Sequence, residues 1–222
     1  MIAAPELPDE PRWIEAHAMA ADPASWRRAL GEGFAVGNDR ARLVVVAGNA
    51  EAGAVTALAE ELPRHALLIA IERADLAAAT RRGVARGMLH TLPEAAASAL
   101  PEVEGAVALP AEVALTHVTG PLGEELAGAR GHRTIWAAFV DGQPVSFAYA
   151  PWRSARWFDV SVETLPGARQ LGLGRMVAAA MIRDERAQGR EPVWGADEGN
   201  LASLALARSL GFVKVDELWV AV

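Results

Sequence analysis

The chain contains no cysteine. That excludes a disulfide framework and a thiolate metal site. Its five histidines, His17, His65, His90, His117 and His132, are scattered without metal-ligand spacing, so no metal is expected. No apolar run approaches the ~20 residues of a membrane-spanning helix, and no membrane partner is expected. The opening Met1–Pro11 is acidic and proline-rich, unlike a secretory signal, which makes a soluble cytoplasmic protein the expectation. Cations are scarce: 21 Lys and Arg against 28 Asp and Glu leave a net charge of −7. Such a balance argues against nucleic acid and suits a cationic acceptor such as an amine. Tyrosine occurs once, at Tyr149.

What is present is apolar. Hydrophobic residues make up 52% of the 222 and charged residues 22%, enough for one large domain or two small ones with a real core. Residues 1–38 read as one or two short helices around Trp13 and Trp26. Gly31, Gly33 and Gly37 resemble a dinucleotide loop but follow a helical stretch at the wrong spacing, so a structural role is expected. Arg42–Ala47 and Leu67–Ile71 read as strands, and Glu51–Glu61 and Asp75–Arg86 as helices. A segment divided by Pro93, Pro101 and Pro110 serves as a linker. From Glu112 the pattern becomes strand (Val113–Val118), helix (Leu122–Ala129) and strand (Thr134–Val140). The turn Asp141-Gly142 then leads into strands Val145–Ala150 and Arg156–Thr164. No internal repeat stands out.

Residues 157–212 organise the rest. Trp157–Thr164 alternates, with Phe158, Val160 and Val162 on one face and Asp159, Ser161 and Glu163 on the other. After Pro166-Gly167 comes Arg169-Gln170-Leu171-Gly172-Leu173-Gly174, and from Leu173 the apolar positions fall at helical spacing as far as Met181. Gly189 suits the helix end, and Pro192–Ala196 supplies a second strand. Such a strand–loop–helix–strand unit is right-handed, with parallel strands. Glycines at a strand-to-helix junction leave backbone N–H groups uncovered, and the helix dipole adds positive potential, so the junction is an anion site suited to phosphate. No Lys-Ser/Thr follows the glycines, which argues against a P-loop nucleotidase.

These residues resemble the GNAT superfamily of acyl-CoA-dependent N-acetyltransferases, whose signature Arg/Gln-x-x-Gly-x-Gly/Ala matches Arg169, Gly172 and Gly174. A second match is Asn200-x-x-Ser203, followed by a helix closing in Leu210-Gly211-Phe212. The combined run from Pro192 is closest to the zwittermicin-resistance-like branch, and the resemblance covers residues 134–222. It implies an α/β fold with a GNAT-like mixed sheet, antiparallel strands then a parallel crossover. That domain would span residues 111–222, with residues 1–110 an N-terminal α/β region packed against it to shape the acceptor site.

The resemblance further implies acetyl-CoA as co-substrate, with direct transfer of its acetyl group to a small-molecule amine. Backbone of Val162 and Thr164 would pair with the pantetheine arm. Arg169, Gln170, Leu171, Gly172, Leu173, Gly174 and Arg175 would hold the pyrophosphate. Asn200 is either a helix N-cap, with Ser203 at N3, or a contact to the pantetheine or acetyl carbonyl. Many GNAT enzymes place a tyrosine acid four residues before the helix-ending glycine; here that residue is Ala207. Glu163 and Asp159 are the candidate bases, and Trp152 and Trp157 candidate walls of an acceptor pocket. Two other readings stand beside this one, an N-acyltransferase moving longer acyl groups onto amino acids and a non-catalytic acyl-CoA-binding module. Self-association into a homodimer is left open.

Overall fold

Strands of alternating or wholly apolar character, joined by short helices, account for most of the chain. In the computed structural model, residues 7–101 and 104–222 are described; residues 1–6 of the acidic opening and 102–103 of the proline-divided linker lie outside them. In chain order come α1 (Ile14–Ala21), β1 (Trp26–Asn38), β2 (Leu43–Ala50), α2 (Ala52–Glu61), β3 (Ala66–Ala70), α3 (Ala74–Ala79) and β4 (Val84–Thr91). There follow α4 (Glu94–Ser98), β5 (Ala106–Ala108), α5 (Gly120–Ala129), β6 (Trp136–Val140), β7 (Gln143–Tyr149), β8 (Trp157–Asp159) and β9 (Ser161–Thr164). The last elements are α6 (Leu173–Ala187), β10 (Glu191–Asp197), α7 (Leu201–Ser209) and β11 (Val213–Ala221).

Two compact units result. The first holds residues up to Leu89, together with Gly195–Leu201 and Lys214–Val222; the second holds His90–Trp194 and Ala202–Val213. The expected boundary after residue 110 falls inside the second unit. In the first, the strands run in the order β1-β2-β3-β11-β4. β1 and β2 form an antiparallel hairpin, β2 and β3 are parallel with α2 as the crossover, and β11 lies antiparallel to β3. Val44, Val46, Val55, Leu58, Leu67 and Ile69 form its core.

Two expectations fail in this unit. The helical reading around Trp26 gives way to the long strand β1, in which Gly31, Gly33 and Gly37 lie, structural as expected. A Cβ on Gly33 would lie 2.3 Å from the backbone nitrogen of Ala50, and one on Gly37 would lie 2.3 Å from the Trp26 ring. The β2 backbone at Gly33 and the Trp26 ring at Gly37 leave no room for a side chain, so packing accounts for these two glycines. The helix expected over Asp75–Arg86 ends at Ala79: Arg81 turns to φ 56°, and β4 follows.

In the second unit β5, β6, β7 and β9 form an antiparallel sheet in that order. The β6–β7 turn has Asp141 and Gly142 at φ 50° and 77°, the two positive values of a type I′ hairpin. Val113–Val118, expected as a strand, is irregular, because Ala106–Ala108 takes the place beside β6. α6 packs on this sheet with Val177 to Ile182 all buried, and α5 covers the opposite face through Leu126, over Phe147 and Tyr149. β8 and β10 run parallel, in register from Trp157 with Glu191 to Asp159 with Val193.

Candidate active site

β8 and β9 are one extended run that changes partner at Val160. Val160 N–H still donates to Val193 of β10 at 3.0 Å; from Ser161 onward the chain pairs with β7 instead. The strands therefore fork immediately after Asp159. Leu165 N–H donates to Val145 O at 2.8 Å, and antiparallel alternation then turns the Glu163 backbone toward β7. The same alternation points the backbone N–H and C=O groups of Val162 and Thr164 to the other edge of β9, where the sheet has no further strand.

The glycine loop stands at that edge. After a 3₁₀ turn (Pro166–Ala168), Gln170 and Gly172 take φ of 65° and 78°, and α6 begins at Leu173. The first helical bond runs from Met176 N–H to Gly172 O at 3.1 Å. The N–H groups of Leu173, Gly174 and Arg175 consequently have no partner within the helix, at the positive end of its dipole. The two glycines answer different needs. A Cβ on Gly172 would meet nothing within 4 Å, so its left-handed φ alone calls for glycine. One on Gly174 would meet Thr164 Oγ1 at 3.3 Å and Val162 Cγ1 at 3.6 Å. Its absence lets the first turn of α6 settle onto β9, beside the unpaired edge. Arg169 reaches back across that edge, its Nε donating to Thr164 O at 3.1 Å. Thr164 is held in turn by Ser146, hydroxyl to hydroxyl at 2.7 Å. Gln170, Leu171 and Arg175 are exposed. Of the expected cofactor residues, the fold thus brings together Val162, Thr164, Arg169 and the loop through Arg175.

Asn200 and Ser203 belong to another part of the chain. Asn200 lies in the first unit, directly before α7, its N–H donating to Asp197 O at 2.9 Å. Ser203, in the second, accepts a hydrogen bond from Trp194 Nε1 at 2.9 Å. Ala207 is fully buried and faces the core. Trp157 is buried, with the Arg156 guanidinium 4.4 Å from its ring centroid.

The other face of β9 carries the titratable groups. Tyr149 lies opposite Ser161 and Phe147 opposite Glu163. The buried Tyr149 donates its hydroxyl hydrogen to Glu125 Oε1 on α5. Burial, then the Glu125 hydrogen bond and charge, push the phenol above the ordinary tyrosine range. Asp159, its carboxyl enclosed at the fork, is pushed up to about 7 by burial and by the charge of Glu125, against a hydrogen bond from the Val160 backbone. Glu163 reaches solvent more freely; partial burial and Glu125 raise it, and Arg169 opposes them. Among the described residues, no group of three or more His, Asp or Glu is placed to hold a metal ion, and no helix is long and apolar enough to cross a membrane.

Residues 136–220 match the GNAT acetyltransferase family. The fold likeness extends beyond the matched residues. A GCN5-related N-acetyltransferase from Kribbella flavida superposes with a TM-score of 0.64 at 16% identity, covering 95% of this chain and 93% of that one. A GCN5-related N-acetyltransferase-like protein from Streptococcus suis gives 0.63 at 17%, covering 95% and 97%. A tandem GNAT protein from the clavulanic acid biosynthesis pathway gives 0.54 at 17%, covering 95% and 93%. These structures share the GNAT fold with almost the whole chain, the N-terminal part included. No match to a curated protein was found. Within the second unit, the participant least visible in the sequence is Glu125: it precedes the GNAT match and reaches the site from a different element, with no spacing to announce it.

Proposed function

We propose that the second unit binds acetyl-CoA and transfers its acetyl group directly to the amine of a small molecule. One observation carries this reading: the open edge of β9 meets the unsatisfied N-terminus of α6, and Asp159 stands where the strands fork. The α6 N–H groups and Arg169 suit a pyrophosphate, and the backbone of Val162 and Thr164 at the strand edge suits the amides of a pantetheine arm, with Arg169 giving up its bond to Thr164 O as the arm enters. The bound co-substrate supplies an activated thioester. The residues of the chain then need only orient it and move protons.

Asp159 is the base in this proposal. Enclosure brings its carboxyl to about 7, where it both accepts a proton from the amine and returns one to the departing thiolate. That double duty suits a site in which the α7 position expected to hold a tyrosine acid is the buried Ala207. Glu163, more exposed on the same face, is assigned a supporting role. The rival reading, a non-catalytic acyl-CoA-binding module, draws on the same Ala207.

Calorimetry with acetyl-CoA, desulfo-CoA and adenosine, followed by thiol release against a panel of amines, tests the reading. Desulfo-CoA is expected to bind well and adenosine poorly. Asp159→Asn is expected to lower kcat roughly 10²-fold without weakening acetyl-CoA, and Glu163→Gln to cost less. Tight binding without thiol release would favour the binding module; adenosine binding as tightly as CoA would overturn both.

A further inference from the structure

An ammonium substrate gives up two protons as it becomes an amide. In the acyl-transfer reading above, on which this inference rests, one proton ends on the thiol and the other has to leave an enclosed site. We propose that Ser161, Tyr149 and Glu125 form a hydroxyl relay carrying that second proton from the amine to solvent. Ser161 and Tyr149 face one another across the β7–β9 pair, and the Ser161 hydroxyl is a hydrogen-bond partner of the phenol. The phenol donates to Glu125 Oε1. Tyr149 is 3% exposed, whereas Glu125 lies on the exposed side of α5. The three groups therefore run from the strand fork to the surface.

The transfer balances. An N–H bond of the ammonium breaks as Ser161 Oγ takes the proton; Ser161 passes its own to Tyr149 Oη, and Tyr149 passes its own to Glu125 Oε1. The nitrogen keeps its lone pair, and Glu125 discharges to water. Asp159 and Glu163 on the strand, Glu125 on α5 and Arg169 after β9 are the charged groups that act on this face. Of the acids, Asp159 is the enclosed one, suited to the proton that stays in the site.

Two measurements decide the matter. Tyr149 is the single tyrosine, so ultraviolet titration follows it alone. Its ionisation should lie above the ordinary value of about 10 and fall in Glu125→Gln. An unmoved titration in that variant would overturn the Tyr149–Glu125 link without any assay of activity. In turnover, Tyr149→Phe, which keeps the ring, should lower kcat about tenfold near neutral pH. The deficit should shrink as pH rises and free amine becomes abundant, with KM for acetyl-CoA unchanged. Because a relay broken once is broken, Tyr149→Phe/Glu125→Gln should be no worse than either single variant. A wild-type pH profile in Tyr149→Phe, or losses that multiply in the double variant, would sink the relay alone. Absence of thiol release by the wild-type protein with every amine would sink the acyl-transfer reading and the relay with it.

Discussion

At Asp159, the proposed base, the enclosure of the carboxyl also makes stability depend on pH. Its folded value, about 7, lies above the ordinary 3.8, so between the two the folded protein holds a proton that the unfolded chain has lost. The resulting stabilisation is complete below the unfolded value and disappears as pH rises through the folded one. Asp159→Asn should therefore match the wild type in denaturation midpoint near pH 4 and exceed it by pH 8. At 1.36 kcal/mol per pKa unit, the gap is at most about 4 kcal/mol. Parallel pH curves for the two proteins would remove the carboxyl from the enclosed state described here. Gly172 makes a complementary case. Its φ of 78° disfavours most side chains by roughly 1–2 kcal/mol, but asparagine tolerates that region, and no atom lies within 4 Å of a Cβ. Gly172→Asn should keep the melting temperature within a few degrees while weakening acetyl-CoA in calorimetry at least tenfold. Unchanged affinity would take the loop out of the anion site.

At the scale of elements, α6 is locked to the loop after β7 by a buried ion cluster. Glu185, 1% exposed, accepts from Arg190 Nε at 2.7 Å and from Arg153 Nε at 3.1 Å, and Arg153 makes a second contact through its terminal nitrogen. Arg153 also bridges to Phe158, one residue before Asp159. Glu185→Gln leaves two guanidinium groups without their anion, and chemical denaturation should show a loss of about 3–5 kcal/mol. A loss below 1 kcal/mol would mean that solvent screens the cluster. The crossover itself was legible in the sequence, because alternation, Gly-x-Gly and a helical apolar stripe all act locally. β1 and β4 were not: glycines obscure the first, helix-forming Ala and Arg lead into the second, and both are decided by strand partners distant in sequence. Glu125 and Tyr149 escaped for the same reason, since only folding brings them together. The topology also holds a repetition that the residues conceal. β2–α2–β3, followed by α3 and β4, has the same order as β9–α6–β10, followed by α7 and β11. At its junction, however, Glu51 stands at the N-cap of α2, where a carboxylate would repel a phosphate.

At the scale of the whole molecule, β11 is the element most remote in sequence from its neighbours. It lies between β3 and β4, with Val220 opposite Leu68 and the Trp219 indole donating to Ile71 O at 2.9 Å. Val220→Pro removes a ladder donor from the interior of that sheet and should markedly lower the stability of the first unit. Hydrogen exchange should then show protection lost in β3 and β4. Retained protection would mean that β11 is dispensable to the unit. The placement of β11 also has a consequence in time. As the chain leaves the ribosome, β3 and β4 are both made long before the strand that separates them, and the second unit is synthesised in between. The nascent first unit must wait with two unpaired strand edges facing an empty slot, the kind of surface that invites pairing with other chains or capture by a chaperone.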